Sequence, residues 1–157
     1  MSHPRPTLIL GVGNLLMGDE GVGIHAVRRL EAEQLPGNVH CLDGGTGGFH
    51  LLSLFAEYDP LILIDATMDG NERGKVTLLQ PRFASDFPRT LSAHDIGLRD
   101  LLESATLLGP LPALFLITIS IGEIRPMTTE LSAAVQNALP KVVETVWQVL
   151  RSLPTAP

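Results

Sequence analysis

Short apolar runs alternate along the chain with segments whose apolar residues recur at helical spacing. Thr7-Leu-Ile-Leu-Gly11 is an apolar run closed by glycine, which predicts a buried strand. From Glu20 to about Gln34, Val22, Ala26, Val27 and Leu30 share one helical face, with Arg28, Arg29 and Glu31 outside it. Pro36-Gly37 ends that pattern. Asn38 to Asp43 predicts a second strand, and Phe49, Leu52 and Phe55 predict a helix over about 48–57. Leu61-Ile-Leu-Ile-Asp65 predicts a third strand that ends at its aspartate. Asp69-Gly70-Asn71 is turn chemistry, and Lys75 to Gln80 predicts a fourth strand. Residues 81–93 hold two prolines and no period, which predicts a loop.

Leu98, Leu101, Leu102, Ala105 and Leu108 then trace an amphipathic helix. Ala113 to Ile121 is rich in β-branched residues and predicts a fifth, central strand. The last helix is expected to start with Thr128 or Thr129 as N-cap. Its inner face would carry Leu131, Ala134, Val135, Ala138, Val142, Val146 and Val149, with a kink at Pro140. Strands alternating with helices predict an α/β fold: a single three-layer αβα domain over 1–157, with its core at about 7–152. Its five-stranded sheet would be mostly parallel, with about four helices. The short turn at 69–73 suits an antiparallel hairpin, which predicts the fourth strand as an antiparallel edge. No internal repeat interrupts this order.

Composition narrows the class. Hydrophobic residues at 45% and charged residues at 18% exclude a disordered chain. The lone Cys41 excludes an internal disulfide framework and a CxxC metal knuckle. No apolar run approaches the roughly 20 residues of a membrane span. No apolar stretch precedes the first strand, so no signal peptide is expected, and the setting that fits is a reducing cytoplasm. A net charge of −6, without a run of Lys or Arg, argues against nucleic acid as the partner.

Open α/β sheets bind ligands beyond the carboxyl ends of their strands. Glu20 follows the first strand, Asp43 ends the second, Asp65 ends the third, and His94 precedes a helix that must begin at the same edge. Four reactive side chains thus converge from distant segments. Each also has a structural reading. Asp19 and Glu20 would complement a helix dipole, for about 0.3–1 kcal/mol. Asp43 heads Asp43-Gly-Gly-Thr-Gly-Gly48 and would close a turn. His94 would sit at a helix start beside Asp95. Asp65 favours function, because a carboxylate following four apolar residues needs a compensating cation, metal or proton. His25 and His40 read as surface or interface residues, His50 as a weak candidate for the site rim, and Cys41 as a small buried hydrophobe.

Gly11-Val-Gly13 lies where a dinucleotide fingerprint would, but Leu16 replaces the third glycine and acidic residues occupy the turn. A nucleotide cofactor is therefore not expected. No Walker A, HExxH or GxSxG sequence is present. Glu20, Asp65 and His94 offer three N/O ligands with open positions, suited to Ni, Zn, Fe or Mn. The two carboxylates would equally serve as an acid/base pair around a water.

Four ordered motifs carry a resemblance: Gly11-Val-Gly13-Asn14-Leu-Leu-Met-Gly-Asp19-Glu20-Gly-Val-Gly23, Asp43-Gly-Gly-Thr46, Ile64-Asp65-Ala66 and Ser92-Ala-His94-Asp95. From about Thr7 to Leu150 the chain resembles the [NiFe]-hydrogenase maturation endopeptidases. The resemblance implies a cytoplasmic enzyme of one αβα domain. Its partner would be the hydrogenase large-subunit precursor, whose C-terminal extension it removes after nickel insertion. Glu20, Asp65 and His94 match the family's metal-binding positions, as the catalytic and metal-ligating set. Nickel would come with the precursor. Asp43, Gly44, Gly45 and Thr46 match the loop linked to substrate recognition. The catalytic type, metal-dependent or aspartic, stays open. So does a non-proteolytic alternative: a nickel-sensing or chaperone-like protein docking on the precursor.

Overall fold

The computed structural model describes residues 4–46, 48–88 and 98–154. Five strands form one sheet in the order β2-β1-β3-β5-β4: β1 Thr7–Gly11, β2 Val39–Asp43, β3 Leu61–Thr67, β4 Val76–Leu79 and β5 Leu114–Ser120. The β1–β2, β1–β3 and β3–β5 pairs are parallel, while β4 runs antiparallel on the edge beside β5, so the 69–73 turn carries the chain past β5 and closes no hairpin with β3. The expected fold class is therefore the observed one. The strand at the middle of the sheet is β3, with β5 one place from the edge, so the fifth strand is flanked on both sides without being central.

Four helices cover the sheet: α1 Val22–Glu31, α2 Leu54–Glu57, α3 Leu98–Leu108 and α4 Ala133–Ser152. Helices α1 and α4 pack on one face, where Ile9, Ile62, Ile64, Ile117 and Ile119 meet Val27, Leu30, Val142 and Val146. The opposite face packs Leu8, Leu10, Leu63 and Leu116 against Phe55, Leu101 and Leu102. Alternate residues of each strand thus serve different layers, the period-two consequence of the pleat.

Several boundaries differ from the local pattern. Helix α1 begins two residues after Glu20, which sits in a 3-10 turn at Gly18–Gly21. The segment at 48–57 is a 3-10 turn, Phe49–Leu51, followed by the single helical turn α2. Another 3-10 turn, Ala84–Asp86, lies within the expected loop. Strand β3 continues two residues past Asp65, because Ala66 and Thr67 keep their pairing with Ile119 and Ser120. Helix α4 has Ser132 as N-cap, so Thr128, Thr129 and Leu131 precede it, and its helical assignment runs unbroken through Pro140.

Candidate functional site

Strand order reverses between β1 and β3: the chain leaves β1 toward β2 on one side and later returns to β3 on the other. Such a switch point opens a crevice at the carboxyl ends, because the two connections depart on opposite faces. Glu20 enters from the turn after β1 and Asp65 from β3. The Gly18–Gly21 turn packs directly on β3.

Glycine makes that approach possible. A Cβ on Gly23 would lie 2.4 Å from the Ile64 carbonyl oxygen, one residue before Asp65. Gly13, at φ 144, would place a Cβ 2.2 Å from the Glu20 carbonyl oxygen. Side chains at either position would push the turn off the sheet. Here the glycines serve backbone packing, and Leu16 stands where a third fingerprint glycine would be.

Glu20 is 2% exposed and Asp65 is 0% exposed. One Asp65 oxygen, Oδ1, accepts the Ala66 N–H at 2.8 Å. Asp65 pairs in register with Thr118, and Thr67 with Ser120, so the four belong to the sheet face that α3 covers. All four are at least 97% buried. Thr118 and Ser120 were legible as hydroxyls alternating with Leu116 on one face of β5, although sequence reasoning assigned the strand to core alone.

Asp19, adjacent to Glu20, does different work. Its Oδ1 accepts the Ser132 backbone N–H and its Oδ2 accepts the Ser132 hydroxyl, each at 2.7 Å. It therefore anchors the turn to the start of α4, where a carboxylate also complements the helix dipole. The dipole role expected for the acidic pair holds for Asp19, on a remote helix.

Asp43 is exposed, and its Oδ1 accepts the Gly45 N–H at 2.8 Å in an Asx turn. The glycine loop is also fastened to the first motif: Gly44 N–H donates to the Gly11 carbonyl and Gly13 N–H to the Gly45 carbonyl. Asp43, Gly44, Gly45 and Thr46 thus border the Glu20 segment at the carboxyl edge, with Asp43 in its turn-closing role. Beyond β3, Asp69 receives hydrogen bonds from Asn71 and from the Ser120 hydroxyl. Desolvation lifts its pKa, but these bonds outweigh it and hold the carboxyl below its ordinary range.

His94 lies outside the described residues, as does the rest of the segment 89–97 leading into α3. Among the described residues, no group of three His, Cys, Asp or Glu side chains is placed to hold a metal ion. The structure therefore packs the turn that carries Glu20 against the strand that carries Asp65. His25 bridges layers, its Nε2–H donating to the Thr129 carbonyl at 3.1 Å. His40 pairs with the Tyr58 hydroxyl, and His50 is exposed beside Gly48. Burial, with help from Glu31, pushes the Cys41 thiol up to about 11, so it stays protonated and unreactive near neutrality.

Known proteins resemble this chain in sequence and fold. The family model described as hydrogenase maturation protease matches residues 24–149. The hydrogenase expression/formation protein HupD of Rhizobium leguminosarum bv. viciae is 36% identical over 156 residues, covering 95% of this chain and 76% of that protein. The hydrogenase 2 maturation protease of Escherichia coli K12 is 35% identical over 143 residues, covering 87% of each. The solved structure of the hydrogenase maturating endopeptidase HybD from E. coli superposes with a TM-score of 0.84 at 34% identity, covering 93% of this chain and 92% of that one. Likeness of this extent, in sequence and in fold together, places the chain in the hydrogenase maturation protease family.

Proposed function

We propose that this protein cuts the C-terminal extension from a [NiFe]-hydrogenase large-subunit precursor once nickel is in place, working in the cytoplasm. The observation that carries the reading is the burial of Glu20 and Asp65, both at least 98% buried, on adjoining elements at the switch point of a maturation-protease fold. Two buried acidic groups on adjoining segments make a favourable place for a cation. Nickel already held by the precursor supplies such a cation, and oxygen donors suit a divalent ion of that class. Glu20 and Asp65 would bind it, with His94 as the third ligand.

In this reading the metal belongs to the substrate, and binding to the protease sets the scissile peptide beside the two carboxylates. Their negative charge orients the loaded precursor, and either carboxyl is placed to exchange a proton with the attacking water or the leaving amine. The Asp43–Thr46 loop borders the same edge and would steady the polypeptide. No nucleotide takes part.

The test incubates the protein with nickel-loaded and nickel-free precursor and reads the C-terminal mass. Cleavage of the loaded form alone is the expected result. Efficient cutting of nickel-free precursor would remove nickel from recognition, leaving the carboxylates an acid/base role. Tight binding with no cleavage of either form would favour the chaperone-like alternative.

A further inference from the structure

The carboxyl edge carries exposed apolar side chains on several of its loops. Leu16 follows β1, Phe49 follows the glycine loop, Met68 follows β3, and Met127 follows β5. Two of them are held together by backbone. Thr128 N–H donates to the Leu16 carbonyl at 3.0 Å, and Gly18 N–H donates to the Thr128 carbonyl at 2.9 Å. These bonds form an isolated parallel bridge between Met17 and Thr128, so one residue back on each segment Leu16 stands beside Met127.

Both are solvent-facing, Leu16 at 58% and Met127 at 89% exposure. Met127 also has φ 65, and among the described residues it alone adopts a positive φ without being glycine. A left-handed backbone is unfavourable for a side chain like methionine and relaxed for glycine. The fold therefore keeps a large apolar residue in a strained, fully displayed position. The packing of Gly18 on Arg125 and Thr128 fixes the loop beneath it.

We propose that Leu16 and Met127 form an apolar rim that seats an apolar segment of the precursor polypeptide beside the turn that carries Glu20. The inference rests on the reading of the chain as a processing enzyme and adds the surface that grips its substrate. Continuity favours this occupant over others. Leu16 belongs to the same loop that delivers Glu20, so a polypeptide reaching Glu20 from this side must cross it. Exposed apolar residues on a rigid frame gain most from covering by another apolar surface.

The decisive variant is Met127→Gly, which removes the side chain while suiting the backbone. Precursor affinity and cleavage kinetics are measured separately, beside Leu16→Ser, the double variant, and Leu107→Ser. Leu107 is 88% exposed near the end of α3, at the opposite edge of the sheet. Expected are a Kd and KM at least fivefold higher for Met127→Gly and still higher for the double variant, with kcat nearly unchanged. Met127→Gly should unfold at or above the wild-type temperature, Met127→Leu should restore affinity, and Leu107→Ser should match wild type. Kd values within twofold of wild type for the double variant would overturn the rim while leaving processing intact. Weaker binding in the variants with no cleavage by any form would overturn the processing reading and uphold the rim. A wild-type dimer that Met127→Gly dissociates without changing precursor affinity would assign the surface to a second copy of the chain and overturn the proposal.

Discussion

On the face covered by α1 and α4, the inner strands are apolar to their ends, with Ile62, Ile64 and Ala66 from β3 and Phe115, Ile117 and Ile119 along β5. On the opposite face Leu61, Leu63, Leu114 and Leu116 begin the same way, but Asp65, Thr67, Thr118 and Ser120 replace apolar residues in the carboxyl half. The two faces are equally buried and differently composed. A fully buried aliphatic side chain contributes about 1.5–3 kcal/mol, whereas a hydrogen-bonded buried polar group contributes only about 0.5–1.5 kcal/mol net. In the proposed reading the polar half carries the chemistry, and the apolar first face supplies the packing.

The sharpest break of that comparison is Asp65→Asn, which keeps shape and removes charge. Precursor processing should fall about 10²–10⁴-fold, the range lost with a positioned acid or base, while the folded spectrum persists. Processing at the wild-type rate, followed by mass, would move the chemistry away from the polar half. Ile117 lies one residue before Asp65's register partner and points into the other layer. Ile117→Ala should lower unfolding free energy by about 2–5 kcal/mol in urea titration. The processing rate per folded molecule should stay close to wild type, and a larger loss of rate than of stability would blur the two faces.

Asp19→Ala tests the same division between sequence neighbours. Losing both bonds to Ser132 should lower stability by about 1–3 kcal/mol. Glu20→Gln should instead leave the melting temperature nearly unchanged and suppress processing. If the two variants behaved alike, Asp19 would belong to the site.

The smallest effect is in pH dependence. Burial holds His25 below its ordinary value of 6.5, and Arg28 acts in the same direction; the Thr129 hydrogen bond and Asp19 oppose them. The unfolded chain then takes up a proton at higher pH than the folded one. Stability from this group is complete above about 6.5 and declines as pH falls from there toward the lower folded value. His25→Gln should flatten that part of the stability curve relative to wild type, seen by denaturant midpoints at several pH values. An unchanged slope would remove His25 as a source of acid sensitivity.

Element order and sheet type were legible because the relevant signals are local. Thr7–Gly11 carries its apolar run and closing glycine together, and the Asp69-Gly70-Asn71 turn sits between the strands it separates. The antiparallel edge and the carboxyl-end location of Glu20 and Asp65 follow from that order. Boundaries were less legible where pairing extends an element beyond its pattern. Thr67 looks like a loop residue until its partner Ser120 is known. The start of α4 was misplaced because Thr128 is a good N-cap residue by type but is engaged in the bridge to Met17.

By itself, the sequence determined the alternating α/β order, the two apolar helix-facing layers and the edge at which reactive groups gather. Each rests on periodicity or turn chemistry within a dozen or so residues. Only the tertiary structure decided which member of Asp19-Glu20 anchors a helix, since the anchoring partner Ser132 is 113 residues away. The same holds for the polar row on one sheet face and the meeting of Leu16 with Met127. The physical reason is common to all three. A residue's role there depends on which remote backbone packs against it, and no local period carries that information.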